Sequence, residues 1–186
     1  VSGGRPARVF VGIGGNIGDR LAILRAAVAS LDAGAINRTW VAAASPIYET
    51  RPVGPSTDPF LNAVVELRTT LAPPQLLDGL LSLEAEHGRR REQRWEARTL
   101  DLDIVVWLAP HDGVYAPRVV QRPGLTLPHP RAAERDFVLA PLADLLPDAR
   151  VLDGRSPRAL LDALPQTART VIARRSEPLR EQPATG

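Results

Sequence analysis

Arg98-Thr99-Leu100-Asp101-Leu102-Asp103-Ile104-Val105-Val106-Trp107 is the stretch on which the reading of this chain turns. Its apolar content and β-branched residues predict a strand over Thr99–Trp107. In a strand, residues two apart share a face, so Asp101 and Asp103 project together while Leu100, Leu102, Ile104 and Val106 fill the other side. Two adjacent carboxylates repel each other and suit a sheet poorly. A divalent cation would compensate for them. Magnesium fits best, because it takes hard oxygen ligands, needs few protein donors and leaves positions for water and phosphate. The alternative is an exposed strand face with solvated or arginine-paired aspartates.

Immediately upstream, Gly88–Arg98 carries five arginines against two glutamates. Planar guanidinium forks bind phosphate oxygens two at a time and stabilise charge in transfer. Trp95 among them could stack on a flat ring. A solvated basic loop or an RNA-binding stripe explains the loop alone equally well. Beside Asp101 and Asp103, a polyphosphate site explains it better.

Outward from this core, strands are expected at Arg8–Ile13, Thr39–Tyr48 and Phe60–Thr69, and a final one at Thr170–Ile172. Helices are expected after Asp19, an N-cap residue, where Leu21, Leu24, Val28 and Leu31 share a face, and from Pro73-Pro74 to a C-cap at Gly88. Two more are expected at Phe137–Leu145 and Ser156–Leu164. Ala109–Pro130 holds five prolines and reads as loop, with one short extended piece at Arg118–Gln121. Strands and helices interleave without a regular βαβ period. The class is therefore α/β in the α+β sense, a sandwich with a largely antiparallel sheet flanked by helices. Residues 1–7 read as a flexible leader, 8–173 as a single domain and 174–186 as a disordered tail.

All 23 basic residues are arginine, and Lys, Cys and Met are absent. That excludes a P-loop lysine, a Schiff-base lysine, a thiolate nucleophile and a zinc–thiolate centre. The pI near 9.9 comes from a surplus of only two charges, so global charge does not argue for polyanion partners. No apolar run approaches a membrane span, and the N-terminus has no apolar signal region. The expected location is cytoplasmic. Gly14-Gly15-Asn16 lacks the spacing of a dinucleotide or P-loop cradle, and a tight turn is the better reading. His129 is a loop histidine able to donate to phosphate, His87 reads as a helix-end dipole contact and His111 as exposed. Burial statistics favour core packing for Phe60 and Phe137.

Several segments in order, from about residue 8 to 165, share a wider pattern. They are the strand ending Gly14-Gly15-Asn16, then Ser45-Pro46-Ile47-Tyr48-Glu49-Thr50 with Pro52-Val53-Gly54-Pro55, and Phe60-Leu61-Asn62-Ala63. After these come Gly88-Arg89, Arg94-Trp95, Arg98-Thr99-Leu100-Asp101-Leu102-Asp103, Pro128-His129-Pro130 and Arg135-Asp136-Phe137-Val138. Together they resemble the 6-hydroxymethyl-7,8-dihydropterin pyrophosphokinase family of folate biosynthesis. The resemblance implies a ferredoxin-like three-layer fold and transfer of pyrophosphate from ATP to the pterin hydroxymethyl group, with release of AMP. It implies that Asp101 and Asp103 bind two Mg²⁺ ions and that Arg89, Arg91 and Arg98 clamp the moving group. Glu84, Arg94, Trp95, Arg98, Ile104, Thr126, His129 and Arg135 would contact ATP. Phe60 and Phe137 would sandwich the pterin, reversing the core reading, while Thr50, Val53 and Asn62 would read its hydrogen-bonding edge.

The sequence departs from the family at four points. Gly15 stands where Ser is usual, Arg51 where Pro is common, and Glu96-Ala97 where Gly-Pro precedes the signature arginine. The Gly88–Trp95 segment is about one residue shorter, leaving open whether Arg89 or Arg90 takes the first arginine role. No side chain stands out as a strong general base, so positioning, metal ions and arginines would supply most of the catalysis, with water or Asp103 taking the proton. The expected partners are the two small-molecule substrates of a monomer. The rival class is a nucleic-acid-binding module using the arginine loop 89–98, which would leave the aspartate pair unexplained.

Overall fold

Two patterns of buried apolar residues, one on each side of a sheet, organise the chain. The computed structural model describes residues 4–52, 57–88 and 99–180. Its elements begin with β1 (Ala7–Gly15), α1 (Arg20–Asp32), β2 (Thr39–Ala44), β3 (Tyr48–Thr50), β4 (Phe60–Thr69) and α2 (Pro73–Glu86). They continue with β5 (Asp101–His111), β6 (Val114–Pro117), β7 (Val120–Arg122), β8 (Leu125–Leu127), α3 (Asp136–Leu145), α4 (Pro157–Ala163) and β9 (Val171–Arg174). Short 3₁₀ turns lie at Ala132–Glu134 and Gln166–Ala168. The main sheet runs β6-β5-β1-β4-β3-β9, with β2 also on β4, and its pairings are antiparallel.

Alternation in β1 sends Val9, Val11 and Ile13 to one face, where they meet Leu24, Val28 and Leu31 of α1 and Leu76, Leu80 and Leu83 of α2. Phe10 goes to the other face, with Val64 of β4, Leu139 and Leu142 of α3 and Leu160 of α4. The result is three layers, with α1 and α2 below the sheet and α3 and α4 above it. Each fully buried leucine contributes about 2 kcal/mol. This is the expected sandwich with a mostly antiparallel sheet. Asp19 caps α1 by accepting from the Ala22 amide at 3.1 Å. Gly88 follows α2 at φ 85°, where glycine avoids the strain of a side chain.

Four expectations change in detail. The strand over 39–48 is two strands, because Pro46 cannot donate to the ladder, and the Ser45 hydroxyl accepts from the Val64 amide instead. The proline-rich stretch after Ala109 is not mainly loop. β5 runs on to His111 and turns back into β6 through Asp112 and Gly113, at φ 46° and 80°, the positive-φ pair of a tight hairpin. β7 and β8 form a second hairpin. In β5, the register slips opposite Phe10/Val11, so Val105 and Val106 both pack on the α3 side and Trp107 returns to the α1–α2 side. Val106 therefore does not share the face of Leu102 and Ile104.

The chain beyond 174 does not trail off as a disordered tail through residue 180. Arg175 meets Glu49 and Glu177, and Leu179 is buried in the α1–α2 core. Arg180 forms a two-pronged pair with Asp32 of α1. Residues 181–186 lie outside the described residues. In the leader, Arg5 stacks over Tyr115 of β6 at 4.2 Å. Among the described residues no helix is long and apolar enough to cross a membrane.

Candidate active site

Glycines at alternate positions of β1 open a floor in the sheet. Gly14 pairs with Asp101 of β5 on one side and with Asn62 of β4 on the other, and Gly12 pairs with Asp103 and Val64. Directly opposed residues of antiparallel strands project to the same face. The aspartates and Asn62 therefore rise on either side of a strip without side chains. A Cβ on Gly14 would stand 2.6 Å from the Asn62 side-chain oxygen. Gly14 thus belongs to the strand rather than to a tight turn, and its missing side chain makes room for the asparagine amide. The turn comes later, with Gly18 at φ 70°.

Above this floor is a cavity of about 600 Å³, within the usual range for a small-ligand site. At one end are Asp101, Asp103, His129, Arg131 and Arg135, and across the sheet are Thr50, Arg51, Phe60, Asn62 and Phe137. Thr167, Ala168 and Thr170 complete the wall. Asn62 donates through Nδ2 to the Thr50 hydroxyl at 2.8 Å, which fixes the amide plane and leaves Oδ1 as an acceptor beside the cavity. The Arg135 guanidinium lies 5.6 Å from the Phe137 ring centre. Phe60 and Phe137 are half-buried cavity walls, not core residues.

His129 is seated on the β5 bulge, its amide donating to the Val105 carbonyl at 2.9 Å. Its Nδ1 accepts from the Arg131 amide at 3.2 Å, which leaves the ring proton on Nε2. Burial holds the imidazole below its ordinary pKa; Asp103 pulls it upward, and Arg135 and Arg131 push it down with the burial. A neutral ring with a single Nε2–H donor suits a phosphate oxygen.

The carboxylate pair fits a magnesium ion: two hard oxygen donors face one glycine-floored space. Among the described residues no third His, Cys, Asp or Glu joins them in a cluster, so substrate and water would fill the remaining positions.

Not every candidate reaches the cavity. Glu84 lies on the opposite side of β5, buried, accepting from the Leu102 amide at 2.6 Å. Its place is explained by the ladder, since β6 pairs only with the far half of β5 and the near half needs an outside acceptor. The Ile104 side chain packs in the α1–α2 core, and Thr126 is exposed on the β7–β8 hairpin. Neither lines the cavity. Val53, Arg89, Arg91, Arg94, Trp95 and Arg98 lie outside the described residues. Sequence reasoning passed over Gly12, Arg131, Glu134 and the 167–170 wall. Glycine at period two, matching the period of the Asp101/Asp103 pair across the ladder, is the signal that would have found the floor.

The sequence matches the family 7,8-dihydro-6-hydroxymethylpterin-pyrophosphokinase over residues 10–147. The chain belongs to this family. A 2-amino-4-hydroxy-6-hydroxymethyldihydropteridine pyrophosphokinase of Pseudomonas aeruginosa is 41% identical over 159 residues, covering 85% of this chain and 92% of that protein. Its namesake from Synechocystis is 38% identical over 162 residues, covering 87% and 77%. The Bacillus subtilis namesake is 44% identical over 137 residues, covering 73% and 76%. The matched region of this chain holds the glycine floor, the aspartate pair and both cavity phenylalanines. The 167–170 wall lies beyond it.

Proposed function

We propose that the chain transfers the pyrophosphoryl group of ATP to the hydroxymethyl oxygen of 6-hydroxymethyl-7,8-dihydropterin, releasing AMP, as a step in folate biosynthesis. The observation that carries this reading is the two-ended cavity. A carboxylate pair with cationic and N–H donors occupies one end, and a fixed amide edge beside two aromatic rings occupies the other. The first suits a nucleoside triphosphate and the second a flat heterocycle with donors and acceptors on its rim.

The substrate hydroxyl oxygen forms a bond to the β-phosphorus of ATP while the bond from that phosphorus to the bridging α–β oxygen breaks. The oxygen leaves with AMP, and the hydroxyl proton passes to water or to the Asp103 carboxylate. Phe60 and Phe137 hold the ring between them, and Asn62, fixed by Thr50, reads its edge. This holds the hydroxymethyl group toward the aspartates. Nε2–H of His129 and the Arg135 guanidinium donate to phosphate oxygens, joined by Arg89, Arg91 and Arg98 on the strength of the sequence pattern. Asp101 and Asp103 would hold Mg²⁺, which when bound neutralises phosphate charge.

Incubation with Mg-ATP, with and without the pterin, tests the reading. AMP should form only when the pterin is present. ADP as the product, or AMP formation indifferent to pterin, would refute it. Asp103→Asn should lower kcat by about a thousandfold or more with an unchanged unfolding midpoint. The nucleic-acid reading of the arginine loop finds no support in the family match or in the relatives' names.

A further inference from the structure

The wall formed by residues 167–170 lies beyond the matched family region, which ends at residue 147, and it faces the cavity from the side of Thr50 and Phe137. Two side chains and one strand hold it there. Asp136, buried between the cavity residues Arg135 and Phe137, turns its carboxylate away from the cavity and onto this segment. Oδ1 accepts from the Thr170 hydroxyl at 2.6 Å, and Oδ2 accepts from the amides of Thr170 and Val171 at 2.5 and 2.8 Å. From the opposite flank, the Arg51 amide donates to the Thr170 carbonyl at 2.9 Å, and its guanidinium donates to the Arg169 carbonyl at 2.7 Å. A proline at position 51 has no N–H and could not make the first of these bonds. Next to this point β9 joins β3, the strand that carries Thr50.

We propose that Asp136 is a positioning residue which, with Arg51, latches the 167–170 segment over the ring-binding end of the cavity, and that this latch sets the affinity for the pterin and not for ATP. The separation of the carboxylate pair from the strand that follows the wall explains the selectivity. Asp101 and Asp103 stand on β5, and four strand steps through β1, β4 and β3 lead to β9, a span of about 19 Å at ordinary strand spacing. Loosening the wall opens the ring end to water and leaves the carboxylate end as it was. The inference rests on the pyrophosphokinase reading above.

Steady-state AMP formation with each substrate varied in turn tests it, on wild type, Asp136→Ala, Asp136→Asn and Thr170→Val, with unfolding midpoints recorded for each. Asp136→Ala should raise the pterin KM about tenfold, the scale of one charge-assisted bond, with the ATP KM within a factor of about two. Asp136→Asn can keep the pattern, Oδ1 accepting both amides and Nδ2 donating to the Thr170 hydroxyl, and should restore most of the affinity. Thr170→Val, which loses only the hydroxyl contact, should raise the pterin KM about threefold; it carries the test if the alanine variant does not fold. Wild type that makes no pterin-dependent AMP overturns the function reading and the latch with it. A normal wild type with unchanged pterin KM in the variants, or with both KM values raised equally, overturns the latch alone.

Discussion

Gly14→Ala is a small perturbation with a calculable consequence. The added Cβ would sit 2.6 Å from the Asn62 side-chain oxygen and 3.4 Å from the Leu61 carbonyl. The second contact is ordinary and the first is not, so the Asn62 amide must retreat by about 0.8 Å. That movement strains its 2.8 Å bond to Thr50 and turns its free edge away from the cavity. Losing one such bond and misaligning the other costs about 2 kcal/mol of pterin binding, or roughly thirtyfold in pterin KM. The backbone at Gly14 does not use positive φ, and alanine restricts the unfolded chain, so the unfolding midpoint should barely move. Gly12→Ala is the comparison, since its Cβ would meet only Val105 at 3.5 Å and the Asp103 carbonyl at 3.8 Å. Initial rates of AMP formation at saturating ATP with pterin varied give the answer. A pterin KM for Gly14→Ala no larger than for Gly12→Ala would refute the idea that the missing side chain exists to seat Asn62.

Other variants separate structural from chemical roles. Glu84→Ala removes the acceptor for the Leu102 amide inside a buried setting and should lower stability by about 2 to 3 kcal/mol, read from urea midpoints, with Glu84→Gln milder. Leu179→Ala should cost about 2 to 4 kcal/mol, because that side chain is buried under the helices; a change near zero would mean the C-terminal segment is not held. Burial, with the hydrogen bond to Asp144, pushes the Tyr48 hydroxyl up to about 12. The folded protein thus keeps a proton that the unfolded chain releases near pH 10. This contribution is complete below about pH 10 and is lost as the pH rises toward 12. Urea midpoints measured across that range should fall less steeply for Tyr48→Phe than for wild type.

What the sequence made legible was local. Phe60–Thr69 carries its alternation, β-branched residues and boundaries in ten consecutive positions, and the strand has those bounds. Asp19 announces α1 by its capping chemistry. The aspartate pair is readable because a two-residue spacing puts both carboxylates on one face whatever the partners are. Hidden features depend on pairing between distant segments. Nothing near Gly14 says that Asn62 lies across from it, and nothing in Val105-Val106 marks a bulge set opposite Phe10. Glu84 is another case, since a helix carboxylate gives no sign of which strand amide it will meet. The C-terminal segment misled because its polar composition resembles a solvated tail, while Leu179 and the arginine contacts Arg175–Glu49, Arg180–Asp32 and Arg25 to the Pro178 carbonyl tie it down. Asp112-Gly113 was a legible hairpin signal, masked by the prolines around it.

The extra residue in β5 also divides the strand into two parts that can be altered separately. Before it, the spacing of Asp101 and Asp103 against Gly12 and Gly14 is set by the near half of β1; after it, Trp107 and Leu108 are indexed to Val9 and Arg8. The frame error introduced at Val105 is absorbed there and is not passed on. Core residues in the far half, together with the β5–β6 hairpin they lead into, can accordingly drift or be redesigned for thermal tolerance without shifting the carboxylates by a single rung.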